Sequence, residues 1–377
     1  MADTRPPPLD DLRVLELATV VAGPGCGRYL ADFGADVIKI ERPGAGDTTR
    51  TLGWRDPADD TTYWWKLMGR NKRCIELDLK TDLGRSQLLA LVATADVVIE
   101  NFRPGKLEAL GLGPDVLLDA RHDLVITRIS GFGQDGPYAQ RPGFATLAEA
   151  MSGFAAINGT AEGGPTLPPI ALTDEVAGLT AAFATMVALH SGVGQVVDVN
   201  LLESMFQVMG PLLSAYTGSG YLQPRMGSEL PYSVPRNTYR CGDGRWVAVS
   251  ASAESVGARV MELVGLDADA LGSFAARVAA RDEINGAVGD WIGARSADEV
   301  LAGFAEAEAA VALVFDMADI ATDEHFAARR SLAELGGVTM QGLVARLSAT
   351  PGRLDWAGRP QGADTAEVLA ELDPPHR

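Results

Sequence analysis

Residues Val20–Arg50 read VVAGPGCGRYLADFGADVIKIERPGAGDTTR, two glycine-rich bends around a short helical stretch and a buried strand, with basic residues following. The apolar run LRVLELA at 12–18 predicts a strand before it. The spacing of Tyr29, Leu30 and Phe33 predicts a helix over 25–33, and 36–41 reads as a second strand. Together they make a βαβ unit, a nucleotide-binding layout with an anionic ligand in view. The glycines fall at Gly23, Gly25 and Gly27 with Pro24 among them, and residues 18–22 separate strand from turn. This fits the dinucleotide fingerprint poorly, even with Glu41 at the acidic position about 20 residues on.

Outward from this unit, 74–79 reads as a strand, 82–94 as a helix capped by Thr81 or Asp82, 97–100 as a strand, and a short helix at 114–120 leads into the apolar run 124–129. The alternation predicts an α/β fold, a Rossmann-like parallel sheet covered by helices. Helices follow at 144–152 and 174–191, the second stopped by Gly192, then a strand at 195–199. Asn200 and Glu203 resemble a capping box for a helix running from Leu201 toward Tyr216. The Gly-, Ser- and Pro-rich stretch 218–235 is the best boundary. Beyond it TYRCGDGRWVAVSAS (238–252) predicts a hairpin turning at Gly242, Asp243 and Gly244, and alanine-rich helices run to about 334. The expected organisation is a large α/β domain over 1–217, a linker and small α+β domain over 218–334, and a return to the large domain over 335–377.

The 377 residues, 47% hydrophobic and 22% charged, suffice for two domains with substantial cores. The polar start MADTRPPPLDDLR is unlike a signal peptide, and no apolar run reaches the roughly 18 residues of a membrane span. A soluble cytoplasmic protein without a membrane partner is expected. Cys26, Cys74 and Cys241 lack paired spacing, and the four histidines lack metal-ligand spacing, so neither disulfide nor metal is expected.

A net charge of −18 argues against nucleic acid as partner. Its distribution is uneven: residues 1–110 carry −2 and the rest −16, and all five lysines (Lys39, Lys66, Lys72, Lys80, Lys106) lie in the first part. Such asymmetry suits a small polyanion, although an arginine-rich composition also leaves few lysines to distribute.

Asp174 opens a helix of small apolar residues after the proline-rich approach GGPTLPPIALT. Unpaired N–H groups and the helix dipole favour its charged form there, which would keep it ionised near neutral pH and able to act as a nucleophile. An ordinary N-cap or first-turn aspartate has the same spacing.

Seven segments together decide more: 20–50, GRNKRCIELDLKT (69–81), ADVVIENFRPGKLEALGLG (95–113), ISGFGQDGPYAQRPGF (129–144), ALTDEVAGLTAAFATMVALH (171–190), GQVVDVNLLESM (194–205) and TPGRLDWAGRPQGADTAEVL (350–369). In this order, over roughly 9–370, the chain resembles the family III CoA-transferases, the carnitine and bile-acid CoA-transferase group. The resemblance implies a large domain built from both chain ends, an interlocked homodimer, acyl-CoA and a carboxylic acid as substrates, and no permanently bound cofactor. It implies that Thr19, Val20 and Ala22 line the CoA site, that Arg42 is the basic residue after the second strand, and that Leu77, Lys80, Asn101 and Phe102 make later contacts. Arg103 and Lys106 are further phosphate candidates. The aspartate of the family's A-L-x-D segment falls at Asp174, implying a nucleophile that passes through an aspartyl-acyl anhydride and an aspartyl-CoA thioester.

The α-methylacyl-CoA racemases resemble the chain over nearly the same segments, and a non-catalytic CoA-binding protein is a further alternative. Where the racemases place a histidine in G-H-D-I-N-Y, this chain has Gly143-Phe144-Ala145, and phenylalanine transfers no proton. Glu149 and Glu175 read as helix-surface or first-turn carboxylates. Arg225, Arg236 and Arg240 are candidates for meeting the carboxylate of an acid substrate.

Overall fold

The structure, a computed structural model, describes residues 6–372; the outermost residues of the polar start and of the C-terminal return lie outside that range. Six strands form one sheet: β1 (Arg13–Glu16), β2 (Asp36–Glu41), β3 (Lys72–Glu76), β4 (Val97–Glu100), β5 (Val125–Ser130) and β6 (Gln195–Asn200). All neighbours are parallel, in the order β3-β2-β1-β4-β5-β6. The expected α/β parallel sheet is therefore present, with its switch in strand order between β1 and β4.

Alternate residues of these short apolar strands feed two cores. Val14, Val37, Val97 and Val125 pack under the helices Ala22–Asp32 and Leu172–Ser191. Leu15, Ile38, Ile75 and Val98 face the opposite way, against Leu88 and Leu91 of the Asp82–Val92 helix, Leu117 and Val368. Thr81 accepts from the Gly84 N–H and caps that helix as expected. The C-terminal return is stitched to β3: the Cys74 N–H donates to Asp364 (2.7 Å), and the Asp364 N–H to the Cys74 carbonyl (2.9 Å).

The chain divides into two compact units. One takes the chain up to Phe154, Leu167–Gly210 and everything from His325; the other takes Ala155–Thr166 and Pro211–Glu324. The expected boundary at 218 falls inside the second unit, to which Ala155–Thr166 is joined by the Gly227 N–H to Gly159 carbonyl bond (2.8 Å). The second unit contains the expected hairpin, β7 (Arg236–Arg240) with β8 (Trp246–Ser250), widened by β9 (Val311–Leu313) and cored by Val247, Val260, Ile284, Val288, Ile292 and Phe304.

Several elements differ from expectation. The helix expected over 25–33 is Ala22–Asp32. The strand placed at 74–79 is Lys72–Glu76, in register with β2. The helix expected from Leu201 toward Tyr216 is two, Leu201–Gln207 and Leu212–Ser219, because Gly210 is left-handed (φ 59°) and Pro211 has no N–H to continue the ladder. The helix expected from Asp174 begins at Leu172, which moves Asp174 from the start into the first turn. By length and composition this helix is apolar enough to cross a membrane. One side packs on the Ala22–Asp32 helix through Ala177, Gly178 and Ala181, while Leu179, Phe183 and Val187 form an exposed stripe at i, i+4, i+8 spacing.

Candidate active site

Strands of a parallel sheet that diverge at a switch in order leave a crevice beyond their carboxyl ends. Here the crevice holds two cavities, both within the first unit. The first, about 360 Å³, is bordered by Arg42 after β2, Leu77 and Lys80 after β3, and Phe102 after β4. The second, about 270 Å³, is bordered by Val20 and Ala22 after β1, Asn101 and Arg103 after β4, Gly131 after β5, Phe144 and Asp174. Thr19 borders both. Of the residues expected to meet CoA, only Lys106 borders neither. A larger cavity, about 750 Å³, is bordered by Trp54, Trp64, Ile170 and Glu175, and by none of the expected site residues.

Asp174 is the only carboxylate among the described residues lining the second cavity, and no described residue donates a hydrogen bond to its side chain. The expected stabilisation of its charge by the helix N-terminus is outweighed. Burial, then the negative charges of Glu149 and Glu175, push its carboxyl up to about 6. Glu149 is not on the helix surface but 3% exposed, and accepts from the Thr173 hydroxyl at 3.0 Å. Glu175 accepts from Tyr29 (3.0 Å) and Arg28 (3.3 Å), so it belongs to the neighbouring cavity's wall. Phe144, exposed at the start of the Ala145–Met151 helix, borders the Asp174 cavity, and its side chain can neither give nor take a proton there.

The glycine bends serve packing more than ligand approach. A Cβ on Gly23 would stand 2.2 Å from that of Ala18, and one on Gly27 only 1.9 Å from Glu16 Oε2, whereas one on Gly25 would meet nothing within 4 Å. The helix thereby lies directly on β1. The chain enters it through Val20, a β-branched residue held left-handed at φ 71°. Asn101 grips this entry: its Oδ1 accepts from the Thr19 N–H (2.9 Å) and its Nδ2 donates to the Thr19 carbonyl (2.7 Å).

The lysine asymmetry is mostly internal. Lys39 and Lys72 are buried on Glu16, with Lys39 also on Asp47, and Lys66 is buried against Asp56. Two of the five lysines, Lys80 and Lys106, are exposed. The cations that border the crevice without a described ion-pair partner are Arg42, Lys80 and Arg103. Arg225 and Arg236 spend their guanidinium groups on backbone carbonyls of the second unit, at Thr160, Gly163 and Ser228. Sequence reasoning missed Asp47 and the burial of Lys39 and Glu149. A charged residue in a strand covered on both faces, such as Lys39 between Ile38 and Ile40, has no route to solvent and must find an internal partner.

The sequence model of CoA-transferase family III matches residues 9–365. A succinyl-CoA–D-citramalate CoA-transferase of Chloroflexus aurantiacus is 39% identical over 99% of this chain and 96% of its own. A succinate–glutarate CoA-transferase of Agrobacterium fabrum is 32% identical over 98% and 96%. The crystal structure of a CAIB/BAIF family protein from Brucella suis matches with a TM-score of 0.86 and 32% identity, covering 98% of this chain and 100% of that one.

Proposed function

The chain belongs to family III of the CoA-transferases, enzymes that move CoA between acids, and we propose that it does so by double displacement on Asp174, with succinyl-CoA as donor and a four- or five-carbon dicarboxylic acid as acceptor. The observation that carries the mechanism is the placement of Asp174 as the sole carboxylate among the described residues that line the cavity at the sheet's switch point, beside Thr19, Val20 and Ala22. The substrate class is supported by relatives whose names pair succinyl-CoA or succinate with citramalate, malate, glutarate or mesaconate.

An Asp174 oxygen attacks the thioester carbon, the C–S bond breaks, and the CoA thiolate leaves an aspartyl-acyl anhydride. The thiolate then attacks the Asp174 carboxyl carbon, releasing the donor acid and forming an aspartyl-CoA thioester. An acceptor carboxylate reverses both steps and regenerates Asp174. A carboxyl tuned to about 6 is ionised at neutral pH yet more basic than a free aspartate, which favours attack. In this reading the first cavity holds the nucleotide end of CoA, Arg42 and Lys80 meet its phosphates, and the thioester reaches Asp174 past Thr19.

A second copy of the chain, interlocked with the first, would cover the Leu179, Phe183 and Val187 stripe. Sedimentation would show a dimer; a monomer at micromolar concentration would end that part. Incubation with succinyl-CoA, trapping with hydroxylamine and peptide mass spectrometry test the chemistry. Modification is expected at Asp174, and full transfer activity in Asp174→Ala would overturn the mechanism.

A further inference from the structure

We propose that the buried Lys39–Asp47 ion pair is a positioning device for the reaction, holding the turn Ala18-Thr19-Val20 in the strained conformation that lines the cavity beside Asp174. The inference rests on the reading of that cavity as the site of CoA transfer. Four consecutive backbone groups of the turn are each bonded by a side chain. Lys39 Nζ donates to the Ala18 carbonyl, Asn101 takes both the N–H and the carbonyl of Thr19, and Asp47 Oδ1 accepts from the Val20 N–H at 3.2 Å.

Lys39 and Asp47 meet at 2.6 Å, both essentially inaccessible to solvent. Asp47 is itself fixed by the Thr49 N–H (2.8 Å) and hydroxyl (2.7 Å), and Lys39 by Glu16 at 3.1 Å. Burying such a pair is weak as a source of stability, since an apolar pair of equal volume does as well or better. What an apolar pair lacks is the means to fix the Ala18 carbonyl and the Val20 N–H. Those groups flank Thr19, which borders both cavities, and they hold Val20 at φ 71°, where a β-branched residue does not rest unaided. The strain is located where the chain turns from β1 into the helix at Ala22, whose first residue borders the Asp174 cavity.

The test is a double-mutant cycle between Asp47→Asn and Val20→Gly, because glycine takes the left-handed conformation without support. The readouts are the rate of covalent labelling by succinyl-CoA and the CoA dissociation constant from calorimetry, on variants whose circular dichroism matches the unsubstituted protein. Asp47→Asn is expected to slow labelling about tenfold or more when Val20 is retained and about threefold or less when it is combined with Val20→Gly. A merely structural role predicts equal losses with and without the Val20→Gly substitution; that result, or no loss, overturns the proposal. If Asp47→Asn does not fold, Lys39→Met, which removes the same ion pair together with the bond to the Ala18 carbonyl, replaces it in the same cycle with the same two outcomes. Absence of labelling in the unsubstituted protein would instead count against the transfer mechanism, and the cycle would then be read on CoA affinity alone.

Discussion

The Thr173 hydroxyl donates to the buried Glu149 carboxylate at 3.0 Å, fixing a negative charge close to Asp174, the next residue along the chain. Burial raises the Asp174 carboxyl first, and the charges of Glu149 and Glu175 add to it, giving about 6. A nucleophile must be ionised, so labelling by succinyl-CoA should rise with pH through that value. Glu149→Gln keeps the shape and removes one of the charges. The acid limb of its pH–rate profile should move down by roughly half a unit, about threefold more reactive carboxylate at pH 5. An unmoved limb would mean that Glu149 does not act on Asp174 electrostatically.

The same displacement has a consequence for stability. A carboxyl whose value is raised by folding, here from 3.8 to about 6, contributes stability that is fully present below pH 3.8 and lost as pH rises through about 6. Asp174→Asn cannot ionise and escapes that loss. It should abolish transfer yet be more stable than the unsubstituted protein at pH 7.5, by on the order of 1–3 kcal/mol, with the difference vanishing toward pH 4. Denaturant unfolding at the two pH values measures it, and equal stabilities at pH 7.5 would contradict the raised value.

Where apolar period and turn chemistry act locally, the sequence was readable: Val97–Glu100 and Pro114–Ala120 form as expected, and Thr81 caps its helix. The crevice was readable only through family resemblance, since nothing in the spacing of Thr19, Asn101 and Asp174 says that two strand ends and the first turn of a helix converge. The charge asymmetry overstated the number of lysines a ligand could use, for a physical reason. Formal charge counts treat every lysine as available to a ligand, but Lys39, Lys66 and Lys72 lie where water does not reach and are neutralised by acids brought near only in the folded chain. Glu149 was hidden likewise, because its burial depends on how the Ala145–Met151 helix docks and not on its own period.

The glycines of the opening stretch separate packing from ligand approach. Gly27→Ala drives a methyl group to 1.9 Å from Glu16 Oε2, inside the buried Glu16–Lys72 pair, and should cost about 1–3 kcal/mol of stability. Gly25→Ala meets nothing within 4 Å inside the same helix and should be neutral or stabilising by up to about 1 kcal/mol. Unfolding curves give both values, and calorimetry with CoA should leave the Gly25 variant's affinity unchanged. Lost CoA affinity there would restore the glycine bend as a phosphate cradle.

The exposed cations carry the last expectation. With three lysines consumed by internal acids, the charge at the crevice comes from Arg42 and Lys80 beside the first cavity and Arg103 beside the second. Alanine at Arg42 or Lys80 should raise KM for the acyl-CoA donor roughly three- to thirtyfold with little change in kcat, the signature of a contact made equally in ground and transition states. Lys106→Ala, whose residue borders neither cavity, should change KM less than about twofold. An acyl-pantetheine donor lacks the nucleotide phosphates, so with it the Arg42 and Lys80 effects should collapse. If they persist, those side chains act on something other than the phosphates, and the nucleotide end of CoA does not lie in the first cavity.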